Sequence, residues 1–317
     1  VNFFFLIGQP PPYIKGSLVP FLFVYEKGVL IEKVCFNKYR ILFNIPEGKR
    51  KNKTYLRLKL GDFLSVLYFA KVIRKKYLKD QSIWLFFGVE SVNATAAALV
   101  RKLLNVENVI YYIFDWSPRW FKNRFLNFLY VRFDKFASYK SDFIWNITHT
   151  IAQAREEILR YDMKKIGKQF IVPYGMPFRE GLVKDSPERN LDTIVYSGYL
   201  SDENGAMILP EIAAEIAKLD KNIKMIVLGG GDRFDEVKKK IAEYELSNIF
   251  LKGHLDDQAE IDKILSQSHI AISPYKDNTY SKKRYGDVIK IRNYFACGLP
   301  VITTGVVPVA KEIEDEM

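Results

Sequence analysis

Short apolar runs rich in β-branched and aromatic residues alternate along this chain with amphipathic segments, a pattern typical of parallel βαβ units. In the first half the predicted strands are VNFFFLIG (1–8), SIWLFFGV (82–89), NVIYYIFDW (108–116), DFIWNIT (142–148) and QFIVPYG (169–175). The predicted helices between them are 61–79, 91–104, 118–139 and 150–161. Because the strand runs are almost continuously hydrophobic, we expect a sheet that helices cover on both faces.

The same alternation starts again after the polar stretch REGLVKDSPERN (179–190). The predicted strands there are TIVYSGYL (193–200), KMIVLGGG (224–231), NIFLKGH (248–254), IAISPY (270–275) and PVITT (300–304). The predicted helices are 204–219, 233–246, 257–267 and 287–297. The pattern therefore predicts an α/β protein of two domains, 1–178 and 190–317, and a length of 317 residues favours two cores over one.

The composition is that of a basic globular protein, with 48% apolar and 27% charged residues. A net charge of +11 favours an anionic partner, which is a phosphorylated ligand, a nucleic acid or an anionic membrane surface. Cys35 and Cys297 make no disulfide framework, which fits a reducing compartment such as the cytoplasm. The three histidines and two cysteines are not closely spaced, so no metal site is predicted.

The sequence predicts neither a membrane-spanning segment nor a signal peptide. No apolar run approaches the ~18 residues that span a bilayer, and no signal-peptide pattern opens the sequence. The chain starts at Val1 without an initiator Met and stops abruptly after KEIEDEM, so we expect a fragment whose second domain is truncated.

Two glycine-containing loops follow predicted strands, where open α/β sheets bind ligands. GQPPPYIKGS brings Gly16 and Ser17 after the first strand, and MIVLGGGDRFDEV brings Gly229–Gly231 after a strand of the second half. Neither matches a dinucleotide or P-loop fingerprint, and each is explained about as well by a plain strand-to-helix turn. Asp232 is predicted to cap the helix that follows the three glycines.

The stretch WSPRWFKNRFLNFLYVRFDKFASYK (116–140) interleaves basic residues with aromatic rings. Such a pattern is compatible with nucleic-acid binding, with a helix in an anionic membrane interface, and with a core helix that has a solvated basic face. No known nucleic-acid motif supports the first interpretation, so membrane contact is the preferred alternative to plain packing.

The segment YGDVIKIRNYFACGLPVITT (285–304) predicts a helix that Asp287 caps and that ends at Gly298. Val288, Ile291 and Phe295 form its apolar stripe at helical spacing. Lys290 and Asn293 lie off that stripe, where a lysine can meet a phosphate and an asparagine can bond sugar hydroxyls. A solvated surface lysine is the alternative, and composition alone does not choose between them.

Taken in order, several motifs resemble the GT-B glycosyltransferases, particularly the family 4 type. They are PPYIKGS, IVPYGM, IVYSGYLSDENGA, MIVLGGGD, NIFLKGHLDDQAEIDKILSQSHIAISPY and KIRNYFACGLPVITT. The resemblance covers roughly residues 170–310 and is weaker in the first half. It implies two Rossmann-like domains whose parallel sheets face a cleft, with a nucleotide-sugar donor held by the second domain and the acceptor by the first. It also implies that neither a metal nor another cofactor is needed.

The resemblance assigns donor contacts to residues from several motifs. They are Gly16, Ser197, Gly198, Tyr199, Gly230, Gly253, His254, Lys290 and Asn293. Gly16 is expected near the diphosphate, Gly253 and His254 beside the base, and Lys290 and Asn293 beside the ribose and phosphates.

Three positions depart from the family pattern. Tyr199 and Asn204 stand where the family usually has an Arg and a Lys that grip the diphosphate, and Asn293 stands where a ribose-binding Glu is usual. Each lost charge-assisted hydrogen bond is worth roughly 1.5–3 kcal/mol. The cations of 282–284, together with Lys290, are the candidates to replace the missing ones.

Catalysis by such an enzyme requires a general base if the reaction inverts the anomeric centre. Asp115, at the end of strand 108–116, is the candidate base, although it could equally cap the next helix; His149 is the second choice. The sequence leaves the stereochemistry open.

The resemblance predicts a metal-independent hexosyltransferase. The basic aromatic face of the first domain suggests a membrane-associated acceptor, which we expect to be a lipid-linked or cell-surface glycan precursor of polysaccharide biosynthesis. The expected partners are the donor, the acceptor and the anionic inner face of a membrane, with the enzyme cytoplasmic or peripheral and no nucleic acid bound. An inactive or regulatory sugar-nucleotide-binding subunit is the alternative, because it would explain the lost Arg, Lys and Glu positions.

Overall fold

The computed structural model describes residues 3–7, 22–26, 29–35, 38–44, isolated positions between 63 and 74, and then 83–175, 190–277 and 281–315. The chain divides into two compact units, Val1–Val172 and Pro173–Met317. Each unit is an α/β structure built on its own sheet.

The first unit contains an eight-stranded sheet in the order β4-β3-β2-β1-β5-β6-β7-β8. Its strands are β1 (Phe3–Ile7), β2 (Leu22–Glu26), β3 (Val29–Cys35), β4 (Lys38–Asn44), β5 (Ile83–Val89), β6 (Val106–Ile113), β7 (Phe143–Asn146) and β8 (Lys168–Ile171). The neighbouring strands in the part of the sheet ordered β2-β1-β5-β6-β7-β8 are parallel. Strand β3 is antiparallel to both of its neighbours, β2 and β4.

Strands β2, β3 and β4 are absent from the sequence-based prediction, which expected only parallel strands joined by helices. Lys27 and Gly28 alone separate β2 from β3, and Phe36 and Asn37 alone separate β3 from β4. A parallel crossover needs about a dozen residues or more, so connections of two residues require antiparallel pairing.

Three helices of the first unit follow its strands: α1 (Glu90–Val100), α2 (Arg124–Lys140) and α3 (His149–Glu157). Helix α2 begins later than the predicted 118–139 because Asn123 caps it, its side chain accepting the Leu126 N–H at 3.1 Å. In β6 the residues from Val109 to Ile113 are all buried, as expected of a strand covered on both faces.

A buried ion pair lies beneath α2. Asp134 of α2 and Arg155 of α3 are both fully buried, and their closest oxygen and nitrogen are 2.6 Å apart. Tyr111 and Tyr161 donate their hydroxyls to the Asp134 carboxylate at 2.7 and 3.1 Å, and Arg155 also donates to Asn146 at 3.0 Å. These bonds supply the partners that buried charges require, so the cluster joins two helices to β6 and β7.

The second unit contains a five-stranded, wholly parallel sheet in the order β11-β10-β9-β12-β13. Its strands are β9 (Asn190–Ser197), β10 (Lys224–Leu228), β11 (Ile249–Gly253), β12 (Ser268–Ser273) and β13 (Val301–Thr303). Its helices are α4 (Leu209–Leu219), α5 (Phe234–Glu243), α6 (Gln258–Gln267), α7 (Ile289–Ala296) and α8 (Pro308–Asp315). In chain order the strands lie 3-2-1-4-5, which is a Rossmann-like arrangement.

Alternate residues of the second sheet point into two separate cores. Val195 and Ala271 pack with α6, α7 and α8, whereas Tyr196 and Ile272 pack with α4 and α5. This period of two buries both faces of the sheet, and the predicted α/β class is confirmed.

Candidate functional site

The order of the second sheet reverses between β9 and β12, and ligands of open α/β sheets bind outside the carboxyl ends of strands at such a reversal. β9 ends at Ser197 and is followed by Gly198 and Tyr199. β12 ends at Ser273 and is followed by Pro274 and Tyr275. The sheet therefore brings several predicted residues to its carboxyl edge.

Lys290 of α7 places its ammonium at this edge, between two aromatic rings. Its Nζ lies 4.5 Å from the ring centroids of both Tyr196 and Tyr275, and 3.4 Å from the Tyr196 hydroxyl. Desolvation by burial, reinforced by the charge of Lys283, lowers the pKa of Lys290 to about 7. Among the described residues no carboxylate pairs with it.

Gly198 leaves room for this cation. A Cβ at position 198 would lie 3.4 Å from both Cδ and Nζ of Lys290, within tight contact. Gly198 and Lys290, assigned to one site from separate motifs, are therefore neighbours in the structure.

Tyr294 anchors α7 to the end of β9. Its hydroxyl accepts the Ser197 N–H at 2.7 Å and donates to the Ser197 carbonyl at 3.1 Å. The ring is fully buried, and burial raises the pKa of its hydroxyl. Sequence reasoning missed Tyr294, Tyr196 and Tyr275 because aromatic residues in such elements are usually explained as core.

The three glycines after β10 allow a close approach of two loops. A Cβ on Gly229 would lie 2.1 Å from the Gly198 carbonyl oxygen, and one on Gly231 would lie 2.4 Å from that of Leu200. Gly230 has open space on its Cβ side, where the nearest atom is the Cβ of His254 at 3.9 Å. The glycine run thus brings together the loops that follow β9, β10 and β11, which carry predicted residues.

Tyr199 and Asn204 are engaged with the loops of the second unit. The Tyr199 hydroxyl donates to Asp232, and the Asn204 amide donates to the Tyr199 carbonyl at 2.8 Å. The Asn204 Oδ1 is buried and has no hydrogen-bond partner among the residues that the structure describes. The prediction that Asp232 caps α5 is wrong, since Arg233 is the N-cap residue and Asp232 serves Tyr199 instead.

Asp287 does not cap α7 as predicted, because Val288 occupies the N-cap position. Its carboxylate accepts the Tyr174 N–H at 2.8 Å and pairs with Arg292 at 3.0 Å. The predicted apolar stripe is also partly wrong, since Phe295 is 40% exposed while its neighbour Tyr294 is the buried residue.

The remaining predicted donor residues of the second unit lie at the edges of this arrangement. Asn293, one turn along α7 from Lys290, has a buried Oδ1 with no partner in the described part of the chain. His254 is exposed, with its Nε2 3.2 Å from Asp256, and Gly253 has a positive φ of 73° with open space around it.

The catalytic candidates belong to the first unit. Asp115 follows β6 and His149 begins α3 after β7, and because these strands are parallel neighbours both residues lie at the same edge of their sheet. Asp115 is exposed, and its backbone N–H donates to the Glu90 carboxylate at 3.3 Å. Glu90 itself has a positive φ of 69°. Gly16 lies outside the described residues.

The described ranges contain no group of three or more His, Cys, Asp or Glu that could hold a metal ion. They also contain no helix long and apolar enough to cross a bilayer.

Residues 180–316 match the family described as glycosyl transferases group 1. The matched segment is thus similar to a group 1 glycosyltransferase domain. That segment comprises nearly all of the second unit, including the Lys290 site. No curated protein sequence matches the chain significantly.

The solved structures that are similar to this chain have the GT-B fold. The pneumococcal O-GlcNAc transferase GtfA, in complex with UDP and GlcNAc, is 16% identical with a TM-score of 0.55, over 90% of this chain and 51% of its own. Anabaena HepE, in complex with UDP, is 12% identical with a TM-score of 0.60, over 98% and 82%. The E. coli trehalose-6-phosphate structure with UDP-2-fluoro glucose is 10% identical with a TM-score of 0.67, over 98% and 86%. The chain thus spans about half of the first relative and most of the other two.

Proposed function

We propose that this chain is a glycosyltransferase that moves a sugar from a nucleotide-sugar to an acceptor hydroxyl, with the donor diphosphate held by the second unit. The observation that carries the proposal is the Lys290 ammonium, which lies between Tyr196 and Tyr275 at the topological switch point without a carboxylate partner among the described residues. An anion at this site would complete the charge balance, and the family match supports a diphosphate.

UDP is the first nucleotide to test, because GtfA and HepE have been solved in complex with it. Gly230, which has open space on its Cβ side, is the candidate backbone contact for the phosphates, and Asn293 and His254 are the candidates for the sugar and base. The transferred group is proposed to be a hexosyl unit, and the reaction is proposed to need no metal, with Lys290 supplying the positive charge.

In the proposed step the bond between the sugar C1 and the diphosphate oxygen breaks, and a bond from C1 to the acceptor oxygen forms. The electron pair of the broken bond leaves with the nucleoside diphosphate, which Lys290 and backbone N–H groups stabilise. The acceptor proton passes to a base of the first unit, for which Asp115 is the first candidate and His149 the second.

The acceptor is proposed to be a lipid-linked or cell-surface glycan precursor of polysaccharide biosynthesis, used by an enzyme at the cytoplasmic face of a membrane. The high net charge of +11 supports an anionic surface as partner.

A second candidate is a sugar-nucleotide-binding subunit without transferase activity. Tyr199 favours it, because its hydroxyl is bonded to Asp232 and offers no cation at a position where the family usually has one.

The experiment that tests the proposal measures UDP and UDP-sugar binding by calorimetry, together with donor hydrolysis and transfer. Lys290→Met is expected to weaken UDP binding roughly 10- to 100-fold, the equivalent of one charge-assisted hydrogen bond. Lys218→Met is the matched control, since Lys218 pairs with Glu215 on the exposed side of α4. Binding without any hydrolysis or transfer would favour the inactive subunit, and equal UDP affinity in Lys290→Met would overturn the assigned donor site.

A further inference from the structure

Helix α2 of the first unit has an exposed aromatic face. Phe125 is 66% exposed and Phe128 is 55% exposed, and Phe136 stands two turns farther along the helix, also exposed. With Arg132, whose guanidinium carbon lies 5.4 Å from the Phe128 ring centroid, these residues follow a spacing of three and four. Large apolar side chains in such a row are unusual on a surface that meets only water.

The same helix presents cations to solvent and no carboxylate. Arg124, Arg132 and Lys140 are exposed, and within the described residues none of them forms an ion pair. Asp134 is the single acidic residue of α2, and it is fully buried against Arg155. The outward side of α2 therefore joins exposed phenylalanines to uncompensated positive charge.

We propose that this face, the Phe125–Phe128–Arg132–Phe136 surface of α2, docks on an anionic lipid bilayer. A helix that lies in a membrane interface inserts aromatic and apolar side chains among the lipids while its basic residues meet the headgroups. Each basic residue near an anionic leaflet adds to the attraction, and α2 exposes no carboxylate that would repel the leaflet. Charge complementarity and the phenylalanine row thus select the same occupant.

The geometry favours a bilayer over a single-stranded nucleic acid. Nucleic-acid grooves use rings on which bases stack, flanked by cations that track the backbone. On α2 the guanidinium of Arg132 lies over the Phe128 ring, so one face of that ring is occupied by a cation and is not open to a base. Insertion among lipids is therefore the better use of these side chains.

This inference deepens the lipid-linked acceptor of the proposed function and rests on it for its biological purpose. Physically it is independent of the donor site, since every residue of the surface belongs to the first unit. A failure of membrane docking would leave UDP binding unchanged, and a failure of UDP binding would leave vesicle binding unchanged.

The test is co-sedimentation of the full chain with vesicles of phosphatidylcholine alone, or with about 30% phosphatidylglycerol added. The wild-type chain is expected to bind only the anionic vesicles. Phe125→Ser with Phe128→Ser, and separately Arg124→Glu with Arg132→Glu, are each expected to lower the partition coefficient about tenfold or more. Leu219→Ser is the matched control, since Leu219 is an apolar residue of the second unit that is 88% exposed.

Three outcomes would overturn the proposal. They are equal binding to neutral and anionic vesicles, wild-type binding by the phenylalanine variant, and loss of vesicle binding only in the arginine variant together with tight binding of single-stranded RNA. The last outcome would assign the face to polyanions in general. Circular dichroism and UDP affinity measured on the same samples identify a variant that has lost its fold, and the conservative pair Phe125→Leu with Phe128→Leu must then retain vesicle binding.

Discussion

Lys290 is the residue on which the second unit concentrates its chemistry. The ammonium is partly removed from water by Tyr196 and Tyr275, and this desolvation is what lowers its pKa to about 7. An ordinary surface lysine stays charged well above neutral pH. Burial of Lys290 destabilises its charged form, and an anion bound beside it would favour that form again.

The first prediction concerns the stability of the protein between pH 7 and pH 10. The pKa of Lys290 falls from 10.5 in a model peptide to about 7 in the fold, so in this window the unfolded chain binds a proton that the native chain does not. The free energy of unfolding should therefore rise with pH in this window, with a slope that corresponds to the uptake of at most one proton on unfolding.

The measurement is urea unfolding of the wild type and of Lys290→Met at several pH values. The difference between the two slopes isolates Lys290 from other groups, and the variant should lose the rise while being more stable at pH 7. Parallel pH profiles of the two proteins would show that the pKa of Lys290 in the fold is that of an ordinary lysine.

The second prediction separates the catalytic candidate from the donor site. Asp115→Asn is expected to abolish transfer while UDP affinity stays at the wild-type value, because Asp115 lies in the first unit and removing its charge removes only the base. Initial rates and calorimetry on the same preparation check it. His149→Gln is the companion variant, and an undiminished rate in Asp115→Asn with loss of rate in His149→Gln would transfer the role to His149.

At the scale of residues, the sequence predicted which residues lie at the site but not which side chains surround Lys290. Lys290 and Gly198 could be proposed from motifs, and the structure does bring them together. The two rings that enclose the ammonium belong to β9 and to the loop after β12, far apart in sequence, and an aromatic residue in a strand is usually core. Only the pairing of β9 with β12 reveals them.

At the scale of elements, the carboxyl edge of the second sheet depends on backbone approaches that a side chain would prevent. Gly205 begins the turn before α4, and a Cβ there would lie 1.7 Å from the Pro274 carbonyl oxygen. Pro274 follows β12, so this glycine ties the β9 loop to the β12 loop beside Tyr275.

The third prediction uses two glycines that share a backbone conformation. Gly205 has a φ of 72° and Gly253 a φ of 73°, but no heavy atom lies within 4 Å of a Cβ built on Gly253. Gly253→Ala should cost only the left-handed backbone strain, about 1–2 kcal/mol. Gly205→Ala should cost at least about 2 kcal/mol more, because Pro274 must move.

Thermal and urea unfolding of the two variants provide the comparison. Equal losses in the two proteins would mean that the Pro274 loop yields freely, and the argument from close approach would then fail.

Elements with strong periodicity were predictable, and their ends were not. The predicted strand 108–116 is β6 (Val106–Ile113), and the predicted helix 287–297 is α7 (Ile289–Ala296). The start of α7 depends on contacts that periodicity does not show, since Asp287 bonds Tyr174 and Arg292 rather than capping the helix. The β2–β3–β4 strands were missed because a βαβ interpretation leaves no place for two-residue connections.

At the scale of the whole molecule, the two proposed partners are assigned to different units. The predicted donor residues that the structure describes lie in Pro173–Met317, and the exposed phenylalanine face lies in Val1–Val172. Two units with separate sheets and separate cores give each partner a distinct footprint.

The fourth prediction is the pair of footprints in hydrogen exchange read by mass spectrometry. UDP should slow exchange in peptides from 194–205 and 286–297, because a ligand stabilises the native state of the segments it binds. Anionic vesicles should slow exchange in 119–140 instead. Protection of 119–140 by UDP alone, or of 286–297 by vesicles alone, would contradict this division of roles.

The low pKa of Lys290 has a further consequence, for chemical reactivity. With a pKa of about 7, Lys290 carries a free amine lone pair at neutral pH in a far larger fraction of molecules than a lysine of ordinary pKa does. A neutral amine is a nucleophile, so an acyl phosphate, which brings its own anion to the site, should acylate Lys290 ahead of the surface lysines. Bound UDP should slow that reaction by covering the amine and keeping it protonated, which makes the lysine itself a reporter of whether its site is filled.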